Sequence, residues 1–182
     1  QNIDVQRVLT RASREFDGCY TMCGLLGHGD AFVMRDPNGI RPAYYYEDDE
    51  ICVVASERPP IQAAFNIPVD EIKEIEPGFA YIIKKDGRTY TKQIREPQQK
   101  LSCSFERIYF SRGNDKDIYN ERQNLGKNVV PRILENVNHD LDNTVFSFIP
   151  NIAETAFYGM IKALEDVLNE RKIQQITSLG QN

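Results

Sequence analysis

Apolar residues recur at helical spacing over residues 4–16, where Val5, Val8, Leu9, Ala12 and Phe16 fall on one stripe. That spacing predicts a helix, which Asp17 and Gly18 stop. The pattern then turns strand-like. "CYTMCGLLG" reads as a strand, "HGD" as a tight turn and "AFVMR" as the next strand. "AYYY" and "ICVVA" flank the acidic "EDDE" and predict a hairpin whose tip faces water. Ser56 is placed to cap a short helix through "ERPPIQAAF", whose prolines fall in the first turn. "VDEIKEIEPG" predicts a strand ending in a turn, and "FAYIIKKDGRTYTKQI" a hairpin around Asp86-Gly87.

The polar, proline-bearing "REPQQKLS" reads as a crossing between two units. Beyond it "FERIYF" predicts a short strand, and "IYNERQNLGKNVVPRILENV" is largely helical with a break or kink at Pro131. "TVFSFIP" predicts a buried strand, and "AETAFYGMIKALEDVLNE" a helix with Ala156, Met160, Leu164 and Leu168 on its apolar face. Hairpins first and strand-loop-helix afterwards predict an α+β chain of two parts, 1–96 and 97–182. One parallel-type strand is too little for a doubly wound domain, so the second part is expected to be incomplete.

The chain has 182 residues and a formal net charge of −5, which gives no reason to expect binding to nucleic acid or to an anionic membrane surface. Its apolar runs are too short to span a bilayer, and no signal-peptide pattern opens it. Cys19, Cys23, Cys52 and Cys103 form no compact metal motif, and a reduced cytoplasmic protein is the simplest reading.

Four features compete as chemistry. His28, between two glycines, is a turn residue or a mobile base, and His139 lies in a polar loop. Cys23 and Cys52 fall in apolar strand patterns and read as small buried hydrophobes rather than reactive thiols. In "RDPNGIRP" the proline and Asn-Gly compose a rigid turn, across which Arg35, Asp36 and Arg41 are expected to pair. It holds no nucleophile, so it reads as scaffold. "IPNIAET" runs from the expected strand into a helix starting near Glu154. Backbone amides at such a helix start hold phosphate or pyrophosphate, although many such loops bind nothing. The candidate residues are Asn151, Ile152, Ala153, Glu154 and Thr155.

"GHGDAFVMRDPNGIRPAYYY", "VVASE" and "EIEPGFAYII" resemble the glutaminase domain of the amidophosphoribosyltransferase family. "CSFERIYFSRGNDKDIYNERQNLGKNV" is similar to that family's "C-x-x-E-Y-x-Y-F-A-R-P-D-S" region and the helix after it. The resemblance covers about residues 4–170. It implies the end of an αββα N-terminal nucleophile glutaminase fold, followed by the start of an α/β phosphoribosyltransferase domain. It also implies a parent enzyme that passes glutamine-derived ammonia to phosphoribosyl pyrophosphate, with magnesium, in purine biosynthesis.

The implied partners are glutamine and phosphoribosyl pyrophosphate. Apolar edges that a complete domain would cover predict association with a second copy, and the charge gives no nucleic acid and no membrane. The family's nucleophilic cysteine belongs upstream and its double-aspartate loop downstream, so none of the four cysteines inherits the nucleophile's role. The 182 residues are therefore expected to be an internal piece, without either activity and without a bound cofactor. Cys103 matches one ligand of the iron-sulfur cluster that some members carry, which leaves a cluster in the parent open. "IPNIAET" aligns with the family's pyrophosphate loop, but Asn151 and Ile152 replace acidic and hydroxyl residues there. The alternative is a non-catalytic interaction or regulatory module built on the same scaffold.

Overall fold

The computed structural model describes residues 3–179, which fall into two compact units divided between Arg107 and Ile108. Segment 97–107, expected in the second part, belongs to the first. The Gln98 amide donates to Pro37 O at 2.8 Å, the Leu101 amide donates to Asn38 O at 3.0 Å, and Lys100 Nζ meets Glu74 at 3.3 Å.

The first unit opens with helix α1, Val5–Ala12, whose N-cap Asp4 accepts the Arg7 amide at 3.1 Å. Val5 and Leu9 are buried, but Val8 is 52% exposed. The contact line runs through Val5, Leu9 and Ser13, and Val8 sits at its edge.

Strands β1 (Thr21–Leu25), β2 (Ala31–Arg35), β6 (Phe79–Ile83) and β7 (Thr89–Gln93) make an antiparallel sheet in the order β1-β2-β6-β7. Strands β3 (Tyr44–Glu47), β4 (Cys52–Ala55) and β5 (Lys73–Glu74) make a second, in the order β4-β3-β5. Side chains alternate across each strand, so the larger sheet offers two apolar faces. Met34, Ala80 and Ile82 meet Val5 and Leu9 of α1. Val33 and Tyr81 meet Ala43, Ile75 and Tyr45 of the second sheet, with the Tyr45 and Tyr81 rings 4.5 Å apart. Helix α2 (Arg58–Phe65) packs against β3 and β4, and its Arg58 guanidinium lies 5.8 Å from the Tyr44 ring. Tyr44 points away from the face that Tyr45 buries. The layers therefore run α-β-β-α.

Several local expectations fail here. Glu57, not Ser56, is the N-cap of α2. "VDEIKE" gives a 3₁₀ turn at Val69–Glu71 and only two strand residues. Cys23 is exposed. It pairs in register with Val33 and shares its face, but β1 is the edge strand and the narrower second sheet does not reach over it.

The second unit, among the described residues, is helical. Glu106–Phe110, expected as a strand, is a π-helical turn that spans the boundary between the units. Helix α3, Lys116–Asn128, begins at Asp115, whose carboxylate accepts the Asp117 and Ile118 amides at 3.0 and 3.3 Å. Helix α4, Val130–Asn136, carries Pro131 in its first turn, where proline lacks only an amide that the helix leaves unused. Helix α5, Glu154–Leu179, has 26 residues and starts where the sequence places it. Met160, Ala163 and Leu164 of α5 are buried against Val130 and Leu134 of α4, while Leu168 is exposed.

Helices α3 and α5 touch backbone to backbone. A Cβ on Gly126 would lie 1.7 Å from Ala156 O, and one on Gly159 would lie 2.1 Å from Gln123 O. Residues 145–149 are not a buried strand. They run without strand pairing, with Val145 94% and Ile149 83% exposed and Phe146 turned into the core. A strand needs a partner for its ladder, and no described residue of this unit supplies one.

Candidate functional site

The loop named from the sequence leads into the first turn of α5. Asn151, Ile152 and Ala153 are exposed, the Glu154 amide donates to Asn151 O at 3.3 Å, and the Phe157 amide donates to Ala153 O at 2.9 Å. Ala153 therefore supplies the first helical acceptor, and with the Glu154 amide already paired, those of Thr155 and Ala156 are the ones left without a helical acceptor. The aligned peptide dipoles add partial positive charge there. Glu154 opposes this charge, but its Oε1 accepts the Tyr158 hydroxyl at 3.0 Å, one turn further along. That carboxylate holds the Tyr158 hydroxyl above the ordinary tyrosine pKa.

Thr155 is brought against a segment that sequence reasoning did not connect to it. The position of a Cβ on Gly113 would lie 3.3 Å from Thr155 Oγ1 and 3.4 Å from Arg122 Nη1. Arg122 is only 7% exposed, and its Nη2 donates to Ile108 O at 2.7 Å and Ser111 O at 2.6 Å. Its Nε is buried without a partner. Ile118, Arg122 and Gly126 form the buried i, i+4, i+8 stripe of α3, and no local signal marks that stripe as the buried one while one of its members is charged.

The corner "RDPNGIRP" is held by its own residues, though not by the expected pairing. Buried Arg35 donates through Nε to Arg41 O at 2.7 Å, through Nη2 to Gly39 O at 2.8 Å and through Nη1 to Ile75 O, and it meets Glu74 Oε1 at 2.7 Å. Asp36, fully buried, accepts the Asn38, Ile40 and Arg41 amides at 3.0–3.2 Å. Arg41 reaches Glu106 instead. The three charges serve separate partners because backbone donors and acceptors of the turn lie closer than the side chains do to one another.

His28 belongs to a second charge cluster. Its Nε2 lies 2.9 Å from Oδ2 of buried Asp30, which also binds Lys84 Nζ and accepts the Lys85 amide at 3.0 Å. Lys84 above all, with His28 and the amide, holds Asp30 well below the usual carboxylate range despite its burial. A carboxylate depressed by folding contributes stability that is complete above the unfolded value, about 4, and is lost as pH falls through the folded value. The wild-type advantage over Asp30→Asn, read by urea unfolding, is thus expected to be constant from pH 7 to about 5 and to shrink steadily below about 4. A constant difference down to pH 2 would contradict the assignment.

His139 is exposed, with Nδ1 3.4 Å from Arg171 Nη2. Cys52 donates to the Tyr81 hydroxyl at 3.2 Å, and that hydroxyl donates to Glu47 Oε2 at 2.6 Å. Burial pushes the Cys52 thiol up, so it stays protonated and is a poor nucleophile. Among the described residues no group of three or more His, Cys, Asp or Glu is placed to hold a metal ion, and Cys19, Cys23 and Cys52 do not gather with Cys103. A cluster that needs four thiolates does not fit these cysteines alone.

No protein-family model matches the chain. Among curated proteins it is 31% identical over 152 residues to the amidophosphoribosyltransferase of Escherichia coli strain K12, a stretch covering 78% of the chain and 29% of that protein. It is 30% identical over 150 residues to the Pseudomonas aeruginosa amidophosphoribosyltransferase, covering 76% and 28%. The chain belongs to the amidophosphoribosyltransferase family. It spans less than a third of the length of these relatives.

Solved structures agree with the family at the level of fold. One is the glutamine phosphoribosylpyrophosphate amidotransferase of B. subtilis, complexed with ADP and GMP. It matches with a TM-score of 0.66 at 24% identity, covering 90% of the chain and 34% of that protein. A second, described as the allosteric regulatory enzyme of purine biosynthesis, matches with 0.66 at 25%, covering 89% and 33%. Within the amidophosphoribosyltransferase family the mixed α and β content is therefore expected. No described helix of the chain is long and apolar enough to cross a membrane.

Proposed function

We infer that these residues are part of a glutamine-dependent amidophosphoribosyltransferase, which moves glutamine-derived ammonia onto phosphoribosyl pyrophosphate in purine biosynthesis. In this reading the first unit is the C-terminal part of the N-terminal nucleophile glutaminase domain. The second is the start of the phosphoribosyltransferase domain. The named relatives and the α-β-β-α layering support the first assignment. Glutamine and phosphoribosyl pyrophosphate are the proposed partners, in the cytoplasm, and the exposed Val145 and Ile149 favour association with a second copy.

The observation that carries the second assignment is the exposed turn 151–153 delivering free amides at the start of α5, with the one opposing carboxylate tied to Tyr158. Asn151, Ile152, Ala153, Glu154 and Thr155 would hold the pyrophosphate, chiefly through their backbone. Magnesium binds through one or two carboxylates together with phosphate oxygens, and Glu154 fits the protein share of such a site. Bound there, the ion would offset the charge of the diphosphate.

Amide exchange tests the reading. Saturating pyrophosphate with magnesium is expected to protect the amides at 152–156, and unchanged exchange would remove the site. Ala153→Pro deletes one amide donor and is expected to weaken binding about tenfold, the factor set by loss of one charge-assisted hydrogen bond. Asn151→Ala is expected to cost less, because the backbone carries the contacts.

A further inference from the structure

We propose that Arg122 is an anion-binding residue, supplying the cation of a diphosphate site whose other walls are Gly113 and the first turn of α5. The proposal rests on the preceding reading of the loop and adds a side chain that the motif does not contain.

Three observations converge on Arg122. First, its charge is buried yet faces no carboxylate. The partners of its guanidinium are the neutral carbonyls of Ile108 and Ser111, both held by the single nitrogen Nη2. Taking a cation out of water against neutral acceptors alone is costly, and an anion offsets that cost. Second, donors remain. Nε is buried without a partner, and Nη1 lies on the Gly113 side. A guanidinium presents its donors in a rigid fork that matches phosphate oxygens. Third, Arg122 and the helix start converge on one residue without a side chain, Gly113. Nη1 of Arg122 and Oγ1 of Thr155 flank the point where a Cβ of residue 113 would stand, at 3.4 and 3.3 Å.

The helix start supplies amides and dipole, Thr155 a hydroxyl, and Arg122 a full charge. Glu154, tied to Tyr158, is the acid nearest in sequence to that turn. Two clamped carbonyls also fix segment 108–111 in place, so Arg122 positions the loop that contains Gly113 as well as facing the ligand. The ligand chemistry is a diphosphate group. Inorganic pyrophosphate and phosphoribosyl pyrophosphate both carry it, and parallel titrations with the two separate a site that reads only the diphosphate from one that also reads the sugar.

The direct test is the Nε–H resonance of Arg122, followed by nitrogen-15 NMR in the 182-residue chain during titration with magnesium pyrophosphate. A saturable shift is expected, with the same midpoint as protection of the amides at 152–156. Arg122→Lys, which keeps charge but not the fork, is expected to weaken binding about tenfold, and Arg122→Gln more. Urea midpoints serve to select conditions in which both variants remain folded. A hydrogen-bond clamp alone would leave the Nε–H signal still. If the loop amides are protected while that signal does not move, this inference is overturned and the loop reading stands. If neither responds to either ligand, the loop site falls and Arg122 with it.

Discussion

Replacing Gly126 or Gly159 with alanine is expected to unfold much of the second unit's packing. A single methyl would fall 1.7 Å from the Ala156 carbonyl oxygen in one case and 2.1 Å from that of Gln123 in the other, far inside van der Waals contact. The carbonyls are backbone of the facing helix, so no side chain can rotate away. Relief requires α3 and α5 to separate, which opens the interface along its length. Overpacking a well-fitted interior costs about 1–3 kcal/mol, and backbone-on-backbone contact puts these two at or above the top of that range. The two residues act on one crossing. Once one alanine has forced the helices apart, the second should cost less, so the double variant is expected to be destabilised by clearly less than the sum. Urea unfolding read by a probe in the second unit checks both statements. Alanine at Gly87, where nothing lies within 4 Å, is a control for space but not for backbone, since its φ is +87°.

Arg35→Met is expected to be the most damaging single change in the first unit, at about 3–5 kcal/mol. Arg35 is 2% exposed and binds the carbonyls of Gly39, Arg41 and Ile75 together with Glu74. Methionine fills similar space but leaves three carbonyls and a carboxylate without their donor. Each orphaned acceptor forfeits about 1–3 kcal/mol if it stays dry, and partial access of water to Glu74 reduces the total. Arg35→Lys is expected to recover little, because one ammonium cannot reach three carbonyls arranged around a planar fork. The measurement is the denaturant midpoint of the first unit. A loss below about 1 kcal/mol for Arg35→Met would show that the corner holds its shape through Asp36 alone.

The fate of that corner shows how local and tertiary information divide. Pro37 and Asn38-Gly39 announce a turn from composition, and the turn is there. The identity of the partners of Arg35 was not legible, because Ile75 and Glu74 come from β5 and its turn, about forty residues on. Cys23 makes the same point for burial. It lies in an apolar strand pattern and reads as buried, but whether its face is covered depends on the width of a second sheet.

Local sequence by itself determined the start of α5 at Glu154, the break at Pro131, the Asp86-Gly87 hairpin and the family, since caps, prolines, turns and motifs act within a few residues. Only the tertiary structure decided the rest. "FERIYF" and "TVFSFIP" carry strand-like side chains but no strand partner among the described residues, and a strand exists only where a ladder closes it. Arg122 likewise looks like any charged helix residue until the crossing at Gly126 and Gly159 turns its stripe inward. Burial then makes a surface-type residue a cation in need of an anion. Spacing along the chain sets which residues share a face, and packing sets what that face meets.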